Sequence, residues 1–277
     1  MIRQHTADGV TTLTIDAPAT RNAFTAQMVG ELLDAVEASG ADDDVKAVVV
    51  RAQGAHFSSG FNVSDPRDFE GAPGDSRRSR LAAITEKSEW MRRLLGAPKP
   101  LVVVVRGSCI GIATYLAVLA DFTVAATDAS FGLPEERFGS AGATWIYPFL
   151  IREIGIKRAT EMVMTGRRYS GDEMARLGLV TRAVDAAALD DSAAQLTNAL
   201  CSLPREGIAI NRAVKRLSLD VIGHTSSFGF HAALHPLAER MQREDDEFNF
   251  MAHAAEHGMK AAIEERNRRF AGDWWGW

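Results

Sequence analysis

Cysteine is scarce in this chain. Only two of its 277 residues are thiols, Cys109 and Cys201. Two distant cysteines build no disulfide framework, and such usage fits a reducing compartment. Excess positive charge is also missing: a net charge of -5 gives no electrostatic reason to bind nucleic acid. The basic clusters Arg77 to Arg80 and Arg266 to Arg269 are local, and each reads more simply as a solvated face than as a phosphate contact. Long hydrophobic runs are lacking as well. Ile110 to Ala120 is too short to cross a bilayer and stops at Asp121, and Met1 to Val10 has no apolar centre for a signal peptide. The expectation is a cytoplasmic protein without membrane contact. No repeat or low-complexity segment is present.

What is there begins with two glycine-flanked loops, each closing a hydrophobic strand. Gly54-Ala55-His56-Phe57-Ser58-Ser59-Gly60-Phe61 follows the run Ala47 to Val50. Gly107-Ser108-Cys109-Ile110-Gly111-Ile112 follows Leu101 to Val105. A strand, a tight glycine turn and then a helix leave backbone N–H groups unpaired and pointing outward. Two such turns facing each other would offer a pair of donors to a developing oxyanion. That pattern points to chemistry on an activated carbonyl.

The rest of the chain supports an α/β core. Thr11 to Ile15 alternates as a strand, and Phe24 to Ala38 places Phe24, Met28, Leu32, Leu33 and Val36 at helical spacing. A polar stretch at 64–80 reads as a surface loop of the kind that covers ligands. A helix is expected over Leu81 to Leu95, then strand Leu101 to Val105, helix Ile112 to Leu119 and strand Phe122 to Ala125. Strand signals fade from Leu189, and the last third reads as helices.

Two further strings suggest other chemistry. Gly107-Ser108-Cys109-Ile110-Gly111 spells a nucleophile elbow with cysteine for serine, so Cys109 is the nucleophile of an α/β-hydrolase or a small buried residue in a tight turn. His253-Ala254-Ala255-Glu256-His257 matches a zinc-peptidase string, and His231 and His235 repeat its spacing. Helical surface histidines give the same pattern, and no metal is expected. Trp274, Trp275 and Trp277 either dock into a groove or fray.

Pro98-Lys99-Pro100 leading into LVVVVRGSCIGIATYLAVLAD, then ASFGLPEERFG and ATEMVMTGRRYSGDEMARLGLVTRAV, resembles the enoyl-CoA hydratase/isomerase (crotonase) superfamily. RNAF at Arg21 to Phe24 and the loop HFSSGF fit too, and the likeness spans roughly residues 1–270. The resemblance implies a crotonase-type α/β spiral of ββα units over 1–200, with a helical region at 201–277 that builds a homo-oligomer, a trimer or dimer of trimers. It implies an acyl-CoA substrate, with coenzyme A as part of that substrate and no separate cofactor. The thioester oxygen would sit between the N–H groups of Phe61 and Ile112. Glu135 matches a family glutamate, and Arg21, Phe57, Ser59 and Arg266 match coenzyme A-binding positions.

The chain departs from the family pattern at three places. Ile112 stands where many members continue with glycine, and its β-branched side chain would crowd the acyl group. Tyr115 replaces the first of the two glutamates that hydratases use. Glu265 stands where a lysine is common beside Arg266. With Glu135 as the main proton carrier in an apolar pocket, its pKa should rise. One carboxylate suffices to shift a double bond, whereas hydration must recruit a helper such as Tyr115, Glu136 or Asp65. Relatives that cleave a C–C bond in a β-keto thioester also lack the first glutamate, and Gly139 to Trp145 loosely resembles theirs. A crotonase-fold protein that binds without turnover is a further alternative.

Overall fold

The computed structural model describes residues 1–63, 89–139, 145–224, 226–227 and 247–271. Expectations for 64–80, Asp65, Arg77 to Arg80, the 81–88 part of the helix expected to end at Leu95, residues 140–144, His231, His235 and Trp274 to Trp277 lie outside the described residues.

Hydrophobic runs become the centre of a six-stranded sheet. β3 (Ala47–Ala52), as far as Val50, and β4 (Leu101–Val105) are apolar without alternation because they are covered on both faces. Val48, Val50, Leu101, Val103 and Val105 enter the main core, while Ala47, Val49, Val102 and Val104 face a second cluster on the other side. β2 (Val10–Ile15) alternates, with Thr11, Leu13 and Ile15 buried. β1 (Ile2–Ala7) pairs with β2 antiparallel as an exposed edge. This strand is absent from the sequence-based expectation, although Asp8-Gly9 marks its turn: both have positive φ, 52° and 80°.

The sheet order is β1-β2-β3-β4-β6-β9, with β6 spanning Phe122–Ala126 and β9 Arg182–Val184. From β2 onward every pairing is parallel. A second, three-stranded sheet runs β5 (Ser108–Ile110), β7 (Ser130–Gly132), β8 (Tyr169–Ser170).

Helices follow strand pairs. α1 (Ala26–Ala38) follows β1 and β2, and α2 (Ile112–Leu119) follows β4 and β5. After β6 and β7 come a 3₁₀ turn (Glu135–Phe138) and α3 (Tyr147–Thr165). A ββα order therefore recurs, its second strand passing into the small sheet from β4 onward. α1 begins two residues later than its apolar spacing suggested. Thr25 caps it, its hydroxyl accepting from the Met28 N–H at 3.2 Å, and Phe24 is left to bridge Phe61.

Further helices among the described residues are α4 (Gly171–Leu177), α5 (Leu189–Cys201), α6 (Arg205–Val221), α7 (Phe250–His257) and α8 (Met259–Arg269). α5 covers the second sheet face with Leu189, Ala193 and Leu200. α6 is tied to the core by Asp121, whose carboxylate accepts from the Leu101 N–H at 2.8 Å and pairs with Arg212 and Lys215. Breaking one partner of so enclosed a pair would strand the other charge. Among the described residues, no helix is long and apolar enough to cross a membrane.

Candidate active site

The two glycine loops lie against each other. Ser58 N–H donates to Ser108 O at 2.8 Å and Ile110 N–H to Ser58 O at 3.2 Å, a parallel bridge between Ser58 and Cys109. His56 Nδ1 accepts from the Ser108 N–H at 3.2 Å. The approach is close enough to dictate sequence. A Cβ on Gly107 would lie 2.1 Å from Ala55 O, and one on Gly60 would lie 3.0 Å from Ile110 O. Both residues also hold positive φ, 57° and 98°, where glycine is strain-free.

The geometry brings the two expected donors to the same place. The Phe24 N–H donates to Gly60 O at 2.8 Å, and Phe24 O accepts from the Asn62 N–H at 2.9 Å. The intervening Phe61 N–H therefore leaves from the opposite edge of the strand. Ile112 is the first residue of α2, where backbone donors have no partner within the helix. Among the described residues, neither N–H donates to a backbone carbonyl. A Cβ built on Gly111 would lie 3.9 Å from Gly60 Cα and 3.7 Å from Glu135 Oε1. The turns and the carboxylate thus converge on one spot.

Glu135 opens the 3₁₀ turn behind Leu133 and Pro134, both buried. The residue keeps some exposed surface, but Oε2 is inaccessible and has no hydrogen-bond partner among the described residues. Burial pushes its pKa up to about 7, with the nearby Glu136 carboxylate adding to the rise. Its own backbone N–H and the Tyr115 hydroxyl, which hydrogen-bonds the carboxylate, pull the other way. Burial and the neighbouring Glu135 hold Tyr115 well above the usual phenol value, so it is a neutral donor. Glu136 is also raised by partial burial.

The other expected residues separate into rim and core. Ser59 is exposed on the first loop, its N–H donating to Arg21 O at 3.0 Å, and Arg21 is exposed beside it. Phe57 is wholly buried in the main core, where it seats the base of the loop and offers no surface to a bound ligand. Arg266 is not a solvated helix arginine: it is 9% exposed, with its guanidinium 4.8 Å from the centre of the Phe138 ring.

The rival strings fare differently. Cys109 is fully buried and burial pushes its thiol far up, which leaves no accessible thiolate for a hydrolase. His253 and His257 are neighbours, 4.5 Å between ring centres. Among the described residues, no three His, Cys, Asp or Glu side chains group as a metal site.

Sequence reasoning missed the residues that hold the site in shape. Buried Asn22, with φ of 55°, receives the Ala17 N–H at 2.8 Å and donates to Gln53 O and His56 O, both at 2.8 Å. Its short polar side chain tolerates the left-handed region and ties the ends of β2 and β3 to the first glycine loop. Thr114 donates to Cys109 O at 2.6 Å and Gly132 O at 3.1 Å, fixing the first turn of α2 to the small sheet. Trp90, in the helical residues 89–95, lies 6.3 Å from the Phe61 ring. A lone Asn and Thr inside family-like strings carry no periodic signal that would single them out.

The family model described as Enoyl-CoA hydratase/isomerase matches residues 5–272. Among solved structures, an enoyl-CoA hydratase/isomerase from Xanthobacter autotrophicus Py2 is similar with 29% identity and a TM-score of 0.84, covering 98% of each chain. An enoyl-CoA hydratase from Mycobacterium smegmatis shares 25% identity with a TM-score of 0.82, over 97% of this chain and 93% of the other. An enoyl-CoA hydratase/isomerase from Pseudoalteromonas atlantica T6c, at 22% identity and a TM-score of 0.72 over 98% of each chain, shows the shared fold.

The raised Glu135 pKa has a consequence for stability. Folding disfavours the ionised form, so the contribution of this group is complete below its ordinary value of 4.5 and is lost as pH rises through about 7. Glu135→Gln removes that titration. Its melting temperature relative to the native chain should be higher at pH 8 than at pH 5; an identical difference at both would contradict the burial of the charge.

Proposed function

From the premise that this chain belongs to the enoyl-CoA hydratase/isomerase family, we propose that it is an enzyme acting on an acyl-CoA through a thioester enolate. The observation that carries the reading is the convergence of Gly60, Gly111 and the Glu135 carboxylate. The thioester oxygen accepts from the Phe61 and Ile112 N–H groups, and the ionised Glu135 removes a proton from the adjacent carbon. Negative charge then moves onto that oxygen, where two fixed donors meet it without reorganising. Arg21 and Ser59, on the exposed rim, and Arg266 are the candidates for coenzyme A contact.

A single carboxylate beside a neutral phenol favours isomerisation. Glu135 takes a proton from C2 of a 3-enoyl thioester and returns it to C4, so the double bond moves into conjugation and nothing is gained or lost. The Tyr115 hydroxyl donates to Glu135 throughout and keeps its basicity in range. Hydration is the second reading, supported by Glu136: this half-buried carboxylate lies near enough to raise the pKa of Glu135. In that case Glu136 would help to hold the water.

The apolar stripe of α6 supports self-association. Ile210, Val214, Leu217 and Val221 recur at helical spacing and are 62%, 55%, 63% and 86% exposed. A second copy of the chain would cover them in a trimer or dimer of trimers.

A panel of 3-enoyl, 2-enoyl and β-keto acyl-CoA substrates followed by mass spectrometry separates the reactions. The expected result is an isomer of unchanged mass, with turnover abolished by Glu135→Gln and thioester binding kept. Gain of water would shift the assignment to hydration, cleavage to C–C hydrolysis, and full activity in the variant would remove Glu135 from its role. The donor claim has its own variant. Ile112 is the first residue of α2, where proline is well tolerated, and Gly111, with φ of 56° and ψ of -123°, permits a following proline. Ile112→Pro should therefore lower kcat/KM roughly 100- to 1,000-fold, while Ile112→Ala, which trims the side chain alone, does not; equal effects would contradict the donor role. Sedimentation should give the mass of three or six chains, and a monomer at micromolar concentration would argue against the α6 contact.

A further inference from the structure

The short turn that carries Glu135 is gripped from outside by α7 and α8, the last two helices among the described residues. It ends at Gly139, whose left-handed conformation (φ 70°) stops the 3₁₀ turn directly after Phe138. The Phe138 ring meets Phe250 edge-on, with ring centres 4.6 Å apart and planes at 84°. The Arg266 guanidinium covers the same ring at 4.8 Å. Phe250 is the first residue of α7, held there by the Asn249 cap that accepts from the Ala252 N–H at 3.0 Å, and it is 1% exposed. Arg266 belongs to α8. One ring on the catalytic turn is therefore enclosed by both terminal helices.

The preceding residue adds a second anchor. Arg137 is buried, its Nε donating to Thr165 O at 2.6 Å, at the end of α3. Its guanidinium also stacks over Phe270, just past α8, at 4.7 Å. Two successive residues of the turn thus lock it to the C-terminal region, and Glu135 lies within the same four residues.

We propose that Phe138 is a positioning residue: the contact of its ring with Phe250 and Arg266 makes the C-terminal helices hold Glu135 at its distance from Gly111. This rests on Glu135 being the proton carrier. A base that must meet one carbon tolerates little displacement, and an error of about 1 Å can cost around 100-fold in rate. Loosening the turn would also admit water to the buried carboxylate oxygen. Tyr115 on α2 and Glu136 on the turn itself are the titratable groups whose influence on Glu135 would change with it.

Phe250→Ala tests the contact from the far side, on a residue that does not share the turn. Phe138→Leu tests it at a half-buried site and keeps apolar bulk should the first variant fold poorly. The titration of Glu135 is read without substrate, by infrared difference spectra between each protein and its Glu135→Gln counterpart. The expected results are a midpoint moved down from the native one in both variants, and kcat lowered roughly 10- to 100-fold with little change in KM. Phe250→Leu should restore most of both. A folded variant with the native Glu135 midpoint overturns the inference, whether or not turnover is found. Activity that survives Glu135→Gln in the native background overturns instead the reading on which it rests.

Discussion

Everything in this site depends on two loops lying close enough to share backbone hydrogen bonds. The Ser58–Cys109 bridge and the His56 contact to Ser108 hold the first loop against β5, and the rest of the geometry follows from that seam. Once Gly60 and Gly111 are neighbours, the residue that follows each of them, the proposed donor, starts from the same place. The side chains of Phe61 and Ile112 play no part in that donation. Main-chain donors need only correct φ and ψ and a close approach, which explains why glycine, asparagine and threonine do the structural work around them. Asn22 and Thr114 are each tied to two or more backbone oxygens or N–H groups.

The fold places a low-dielectric wall behind this seam. β3 and β4 are apolar on both faces, and the main core rises through β5, β7 and α2 to the Glu135 turn. Burial there acts on three titratable groups with different outcomes. The Cys109 thiol is pushed out of reach, Tyr115 is fixed as a neutral hydrogen-bond donor, and Glu135 is left near neutrality. A carboxylate poised at about 7 can both take and return a proton near physiological pH, which one at its ordinary value does poorly. The same desolvation thus silences one candidate nucleophile and raises the carboxylate of the proposed base.

Much of this was legible in the sequence because its signals were local. Leu101–Val105 and Ile112–Leu119 occur where their apolar runs predict them. The glycine loops marked the two turns that meet, and the segment ending in Pro134-Glu135 marked the carboxylate beside them. What could not be read was set by partners distant in sequence. β1 is exposed and polar, so its only reason to be a strand is pairing with β2. Phe24 fits a helical face, yet Thr25 caps the helix after it and Phe61 claims it. Arg266 looks like any charge on an Arg-rich helix until Phe138, 128 positions earlier, is found beneath it. Phe57 sits in a string expected to contact ligand but is buried in the core.

The central claim is that two main-chain amides polarise a thioester carbonyl in a dry site. The most direct measurement is the infrared C=O stretch of an unreactive acyl-CoA labelled with ¹³C at that carbon, recorded free and bound. Two convergent donors predict a band that moves to lower frequency on binding and moves less when Ile112→Pro removes one of them. A bound carbonyl that absorbs at its free frequency would contradict the account.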